Sequence, residues 1–440
     1  MKKSLSGSLA LLASGLLFLC PIVFAQDVSS VVNANNQFGF KLYSQYKSNK
    51  GNIFLSPYSI SSAVAMAYEG ARGKTADEIQ SVFGFPKDES LRRNSFLEIN
   101  NLINKKNKQY ILYTANALWA QKDYPFSGGY FNLIKDYYSG KTTNLDFIHQ
   151  AAESCLTINN WVAEQTNNRI NDLISPDTLN PFTRLIITNA VYFKGFWLKQ
   201  FNKGDTLDEE FRVGLGEVVL TPMMYKEEKF NYGETDELQI LELLYEGEEL
   251  SMLILLPKGD DLKVVEESLS VKKLSDWNKL LRTEKVDVFL PKFKFEAKYQ
   301  MRNTLVAMGM PTAFTLGIDF GGWADFSGMT GKKDLNIDQV IHKTFVEVNE
   351  EGTEAVAVTA VTTGYGAALP PVERIKLFRA DHRFIFLIQE KQTGNVLFMG
   401  RFSNPDSINR ISPADPNRQK RVPHPQERIP KFQVEGLYQP

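Results

Sequence analysis

Histidine and cysteine are the side chains most often given catalytic or metal-binding work near neutral pH, and this sequence holds few of them. His149, His342, His382 and His424 stand far apart, and none falls in a His-Glu-x-x-His spacing that would set two imidazoles on one helix face for zinc. No Gly-x-Ser-x-Gly elbow occurs to hold a nucleophilic serine above a sheet. Gly73-Lys74-Thr75 ends as a phosphate-binding loop does, but that loop needs a glycine five residues before Gly73, where Tyr68 stands. These patterns point away from an enzyme, a resident metal and a cofactor. The informative stretch runs from Phe345 to Leu369, and its middle, Glu350 to Gly366, reads as a strand-like segment with an unusual distribution of side-chain sizes.

Val and Thr favour extended backbone, and side chains along a strand alternate between two faces. One face of this stretch carries Thr353, Ala355, Ala357, Thr359, Val361 and Thr363, with no charge and nothing larger than Val. The other carries Glu354, Val356, Val358, Ala360, Thr362 and Gly364. The first face can therefore enter a packed interior. Gly352 and Gly364 bracket it with freely rotating backbone. Pro370 and Pro371 end any further ladder. Read alone, the residues favour an ordinary buried strand.

The elements that would position it are legible along the rest of the chain. Ser56-Pro57 starts a small-residue helix over Ile60–Tyr68, and Thr75-Ala76-Asp77-Glu78 has the form of a capping box for the next helix, stopped at Gly84. Leu91 to Gln109, Phe131 to Gly140, Cys155 to Asn168 and Tyr299 to Met308 read as further helices. Arg92, Arg93, Lys105, Lys106 and Lys108 on the first of these read as a solvated face. Tyr113–Gln121, Leu250–Pro257 and Val286–Phe295 read as strands, and Leu185–Phe193 as a strand buried on both faces. Asn189 is anomalous inside it, because an unpaired buried amide costs on the order of 1–3 kcal/mol. It must have partners.

Glu350-Glu351-Gly352-Thr353-Glu354-Ala355 resembles the proximal hinge of the serpins. Phe378-Arg379-Ala380-Asp381-His382-Arg383-Phe384-Ile385-Phe386 and Leu397-Phe398-Met399-Gly400-Arg401-Phe402 resemble the strands that close that fold. Three such motifs in order, correctly spaced, are hard to obtain by chance, and the resemblance extends over about Gln37 to Pro405. It implies an α+β serpin fold with three β-sheets, about eight or nine helices and an exposed reactive loop able to insert into the main sheet. It also gathers Ser56, Ser59 and His342 around Asn189 where that sheet parts, with Trp197 near the top of the opening and Lys292 paired with Glu350 there.

Length and composition bound the rest. Met1-Lys2-Lys3 and the apolar run Leu9–Phe24 read as a secretory signal over residues 1–25, cleaved after Val23-Phe24-Ala25. No linker interrupts residues 26–405, a single large domain, and a proline-rich, flexible tail occupies 406–440. Cys20 leaves with the signal, so Cys155 remains without an internal disulfide partner. The absence of an Asn-x-Ser/Thr sequon adds to this and favours a bacterial exported protein, extracellular or periplasmic. A net charge of −1 argues against nucleic acid or an anionic membrane as the main partner. Glycosaminoglycan, which some serpins bind on a basic helix, is not expected, and the chain is read as a monomer.

The resemblance implies one of two functions. In an inhibitory serpin a target serine protease cleaves the loop, and the covalent acyl-enzyme is carried along as the loop inserts. A non-inhibitory serpin would act as a binding, transport or chaperone-like protein. The hinge favours inhibition, since Thr353, Ala355, Ala357 and Thr359 present no bulk or charge to stall insertion. Family loops place the scissile bond fourteen residues after the hinge glycine, which gives Gly366–Ala367. Counting back from Phe378 lets it slip toward Leu369, and a one-residue shift makes Tyr365 the bait. No Lys or Arg lies between Glu351 and Arg374, so a trypsin-like target is not expected. Gly366 suits an elastase-like pocket and Tyr365 a chymotrypsin-like one.

Overall fold

A serine that caps, a proline at the first helical position and a run of small apolar residues leave the chain after Leu55 little choice but a buried helix. In the computed structural model, which describes residues 21–105, 109–214, 216–315, 323–352 and 374–405, Ser56 accepts the Ser59 N–H at 3.3 Å and the helix runs to Gly70. The first part of the chain forms α1 (Pro21–Tyr46), β1 (Ile53–Leu55), α2 (Pro57–Gly70), α3 (Gly73–Phe83), α4 (Glu89–Ile103) and β2 (Tyr110–Gln121). After these stand α5 (Gly128–Tyr138), β3 (Lys141–Leu145), α6 (Ala151–Gln165), β4 (Leu185–Gly195), β5 (Leu207–Gly214) and β6 (Glu217–Glu234). Next come β7 (Leu238–Leu244), β8 (Leu250–Pro257), α7 (Lys263–Ser268), α8 (Val271–Leu280), β9 (Arg282–Pro291) and β10 (Phe293–Gln300). The last are α9 (Arg302–Met308), α10 (Ser327–Thr330), β11 (Ile337–Val348), β12 (Lys376–Arg379), β13 (Phe384–Glu390) and β14 (Val396–Phe402).

The α+β class is as expected, with ten α-helices among the described residues. The count exceeds eight or nine because segments as short as the four-residue α10 are included. The strands form a five-stranded sheet in the order β10-β11-β4-β2-β3 and a nine-stranded sheet running from β1 to β12. Two of the three expected sheets are hydrogen-bonded into one because β6 is 18 residues long. Its first half pairs with β5 and its last residues with β7, while β9 accompanies most of its length on the other side.

The five-stranded sheet is buried on both faces along its central strand β4, whereas the edge strand β10 exposes one face. Along β4, Leu185, Ile187, Val191 and Phe193 join the main core, which includes α2, whereas Ile186, Ala190 and Tyr192 join a second core. That second core holds Cys155, Ile158 and Val162 of α6 against Ala115, Ala117 and Trp119 of β2. Alternation of period two thus feeds two separate cores from one strand.

Several local expectations are corrected. The helix read from Thr75 begins at Gly73, and its two capping-box side chains are drawn elsewhere. Thr75 accepts the Asp325 N–H at 2.9 Å, and Glu78 accepts the Thr312 N–H and hydroxyl, both at 2.8 Å. The helix read from Tyr299 starts at Arg302, because β10 runs on to Gln300. Nor do Arg92 and Arg93 form a solvated face. Both reach the buried Glu69 carboxylate of α2, at 2.8 and 2.7 Å, and the Tyr138 hydroxyl donates to it at 2.6 Å. Lys105 is engaged with Glu249, and residues 106–108 lie outside the described residues.

Glu69 therefore ties α2 to α4 and α5. Removing one member of a buried ionic group strands the others without compensation, at about 3–5 kcal/mol. Glu69→Ala should lose about that much in urea unfolding, and Glu69→Gln less. A loss below about 1 kcal/mol for the alanine variant would show that Arg92 and Arg93 find water instead.

Candidate functional site

The centre of the five-stranded sheet is a parallel pair. β11 runs beside β4 from Ile337↔Leu185 to Phe345↔Tyr192, with His342 opposite Asn189. On the far side of β4, Asn116 of β2 also stands opposite Asn189. A polar row thus crosses three strands in the buried middle of the sheet. All three side chains are buried.

The hydrogen bonds of the row specify its protonation. The Ser56 N–H donates to His342 Nε2 at 3.1 Å, so that nitrogen is an acceptor and the ring proton sits on Nδ1. Nδ1 in turn donates to Asn189 Oδ1. The Asn189 amide donates to Ser59 Oγ and to Asn116 Oδ1. Ser56 Oγ donates to the Leu397 carbonyl at 2.7 Å, which ties the row to β14. Neutral imidazole fits every contact, and burial pushes its pKa down to about 3.

At the upper end of the pair the chain leaves β11 and turns. The Asn349 N–H donates to the Gly352 carbonyl at 2.9 Å, and the Gly352 N–H to the Asn349 carbonyl at 3.2 Å. Gly352 has φ +121°, and a Cβ there would lie 2.2 Å from the Gly195 carbonyl oxygen, so only glycine fits. The segment after β4 clasps this turn. The Trp197 N–H donates to the Glu351 carbonyl at 2.9 Å and the Phe201 N–H to the Glu350 carbonyl at 2.7 Å. The Trp197 indole donates to the Asn349 carbonyl at 3.0 Å and stacks on Tyr245 with centroids 4.6 Å apart.

The charges at the turn are paired. The Lys292 ammonium lies 2.9 Å from Glu350 Oε2, and the Thr206 hydroxyl donates to Glu350 Oε1 at 2.7 Å. Burial opposes the charge on Glu350, yet these two donors outweigh it and hold its carboxyl below the usual glutamate range. Lys203 closes on Glu351. Glu350, Glu351 and Gly352, with Lys292 and Trp197, are therefore assembled at one end of the β4–β11 pair, and Ser56, Ser59, Asn189 and His342 in its middle.

Thr353, Ala355, Ala357, Thr359, Tyr365, Gly366 and Ala367 lie outside the described residues. Sequence reasoning missed Asn116, whose signal was an amide in the middle of a strand read as apolar. It also missed Lys203 and Thr206, which carry no local signal because they approach the turn from elsewhere. Among the described residues no group of three or more His, Cys, Asp or Glu side chains could hold a metal ion. Nor is any described helix long and apolar enough to cross a membrane.

The buried imidazole links stability to pH. Its folded pKa is depressed, so its contribution is complete above the usual imidazole value near 6.5 and is lost as pH falls toward about 3. The slope for one proton is about 1.4 kcal/mol per pH unit. Glu350, also depressed, adds a loss only below the usual glutamate value of 4.5. Unfolding free energy from urea titrations should therefore drop more steeply between pH 6 and pH 5 for the unaltered protein than for His342→Gln. Parallel curves in that interval would mean that the imidazole takes up a proton without disturbing the row.

Comparison with known proteins agrees with this arrangement. Residues 33–405 match the family described as serpin (serine protease inhibitor). An uncharacterized serpin-like protein of Thermococcus kodakarensis is 46% identical over 376 residues, 85% of this chain and 86% of the relative. The human leukocyte elastase inhibitor is 39% identical over 384 residues, 85% of this chain and 99% of the relative. Among solved structures, uncleaved ovalbumin superposes with a TM-score of 0.76 at 32% identity, covering 86% of this chain and all of that one. A parallel seam with a polar row beneath it and a glycine turn at its end is thus matched by sequence kinship over most of the chain, which belongs to the serpin family.

Proposed function

We propose that this serpin inhibits a serine protease as a suicide substrate, its loop inserting between β4 and β11 after cleavage. The observation that carries the reading is the direct parallel pairing of β4 and β11, with the chain reversing at Gly352 immediately after β11. A chain that turns back from β11 runs antiparallel to it, and therefore to β4 as well. Entering between them, it would replace one parallel ladder by two antiparallel ones, which pair slightly better per residue.

The chemistry is acyl transfer. The protease serine attacks the carbonyl carbon of the residue before the scissile bond, here Gly366 with Tyr365 as the alternative. The bond to the adjoining nitrogen breaks, the amine leaves with a proton from the protease histidine, and an ester to the serpin remains. Insertion must win against hydrolysis of that ester. About fourteen residues extend about 46 Å as a strand at roughly 3.3 Å each. About a dozen new backbone hydrogen bonds at roughly 0.5–1.5 kcal/mol net amount to about 6–18 kcal/mol, comparable to the stability of a whole domain. The uncleaved form is then held kinetically, by the clasp of Trp197, Phe201 and Lys292 on the turn and by the polar row.

The target is an elastase-like enzyme, by the small residues at 366 and 367 and the kinship to leukocyte elastase inhibitor. The protein acts as an exported monomer after loss of residues 1–25. Mixed with elastase-, chymotrypsin- and trypsin-like proteases, it should give an SDS-stable complex with the first. The released C-terminal fragment should begin at Ala367. A fragment beginning at Gly366 would make Tyr365 the bait. Cleavage by all three enzymes without any stable complex would refute inhibition.

A further inference from the structure

The face of the five-stranded sheet opposite the polar row carries a second row across the same three strands. Tyr192 of β4 stands opposite Phe345 of β11 on one side and Tyr113 of β2 on the other. The offset from Asn189, His342 and Asn116 is an odd number of residues, so these rings point away from α2 and join the core that α6 packs on. The Tyr192 and Phe345 rings meet across the seam with centroids 5.8 Å apart, and Tyr113 stacks on Tyr192 at 6.0 Å. Aromatic rings attract at these separations.

Both rings of the pair that spans the seam also carry a cation. The Arg169 guanidinium, from the chain after α6, lies 5.5 Å from the Tyr192 centroid. The Lys294 ammonium of β10 lies 5.4 Å from that of Phe345. Tyr192 is buried and Phe345 half-buried, so both attractions act where water is partly excluded.

Neighbouring strands stand about 4.8 Å apart, so a strand entering between β4 and β11 would move the two rings to about twice that spacing and end their contact. The register of such a strand is set at the turn, where Gly352 already pairs antiparallel with Phe196. Continued residue by residue, that register brings Thr353 opposite Gly195, Val356 opposite Tyr192, Val358 opposite Ala190 and Thr359 opposite Asn189. Thr353, Ala355, Ala357 and Thr359 then fall on the face of Phe193, Val191 and Asn189, the side of the main core, which their small size suits. Val356 falls on the other face, between Tyr192 and Phe345. A β-branched residue beside an aromatic one is a favourable cross-strand pair.

We propose that the Tyr192–Phe345 contact is a further lock on the seam, slowing its opening, and that Val356 replaces this contact once a strand has entered. The inference rests on insertion between β4 and β11 as proposed above, and it names the side chains that set the rate of entry and the fit of the entered strand. Tyr192, Phe345 and Val356 are positioning residues, since none of them touches the reacting bond.

A synthetic peptide of residues 353–363, added to the intact full chain, tests both parts without a protease. It carries the residues that this register lays along β4 from Gly195 to Leu185, and it can add as a strand wherever the seam opens. Its binding, followed by the anisotropy of a dye on its N-terminus, should be about two- to tenfold faster with Phe345→Leu than with the unaltered protein, the factor an aromatic pair supplies. Tyr192→Leu should do the same, and it answers the question should the first variant not fold. The double variant should be no faster than either single one, because each removes the same contact; a general loosening of the sheet would add. A Val356→Ala peptide should leave the unaltered protein about two- to fivefold faster than the unchanged peptide, and a Val358→Ala peptide, which meets no ring, less so. Failure of the unchanged peptide to bind would remove insertion itself and this lock with it. Binding at one rate in all the proteins, additive single variants, or equal release of the two altered peptides would overturn this inference and leave insertion standing.

Discussion

The ladder between β4 and β11 is the contact on which the rest of this molecule depends. It closes the five-stranded sheet in the middle, where both faces are buried. Two parallel strands side by side leave an alternative that antiparallel neighbours do not, since any chain reversing at the end of one runs antiparallel to both. Gly352 makes that reversal beside the end of β4, at φ +121° and with no room for a side chain. In the proposed mechanism the closed sheet is a kinetic trap, and its neighbouring contacts are the barriers to its opening.

Two kinds of contact guard the seam. In the middle, Asn116, Asn189 and His342 bridge three strands through side chains, so parting β4 from β11 exposes an imidazole and an amide that have no partner until something takes their place. At the end, Trp197 and Phe201 hold the carbonyls of Glu351 and Glu350, and Lys292 holds the Glu350 carboxylate. The first kind is a matter of desolvated polar groups and the second of a clasp on the turn. In the proposed mechanism both act on the rate of opening. Neither prevents a strand that has entered from satisfying the same edges, which is the asymmetry an inserting loop requires.

Much of this is legible in the sequence where local chemistry decides the outcome. The continuous apolar run of β4, the Ser56-Pro57 start of α2 and the glycine of the hinge each derive from residue type alone. The Asn189 amide announces a polar cluster because no strand interior tolerates it unpaired. The features that escape a sequence reading depend on register and on distant elements. Asn116 joins the row only because it falls opposite Asn189, and Thr206 reaches Glu350 from 144 positions away. The capping box at Thr75 fails because Asp325 and Thr312 compete for the same side chains. Arg92 and Arg93 depart from the solvated face for a like reason, since a carboxylate buried in α2 outcompetes water for them. The extension of β10 is visible in the alternation of Phe293, Phe295, Ala297 and Tyr299 with Lys294, Glu296 and Lys298, so a helix read from Tyr299 begins too early.

In the proposed mechanism the closed seam is a trapped arrangement with a more stable one available to the cut loop. The most direct measurement is the unfolding midpoint of the intact protein against that of protein nicked once within residues 353–373 and not dissociated. Insertion predicts a midpoint higher by tens of degrees after the nick, because the sheet gains a strand with a full ladder on each side. Equal midpoints, or a lower one for the nicked form, would mean that the seam between β4 and β11 does not open to the loop.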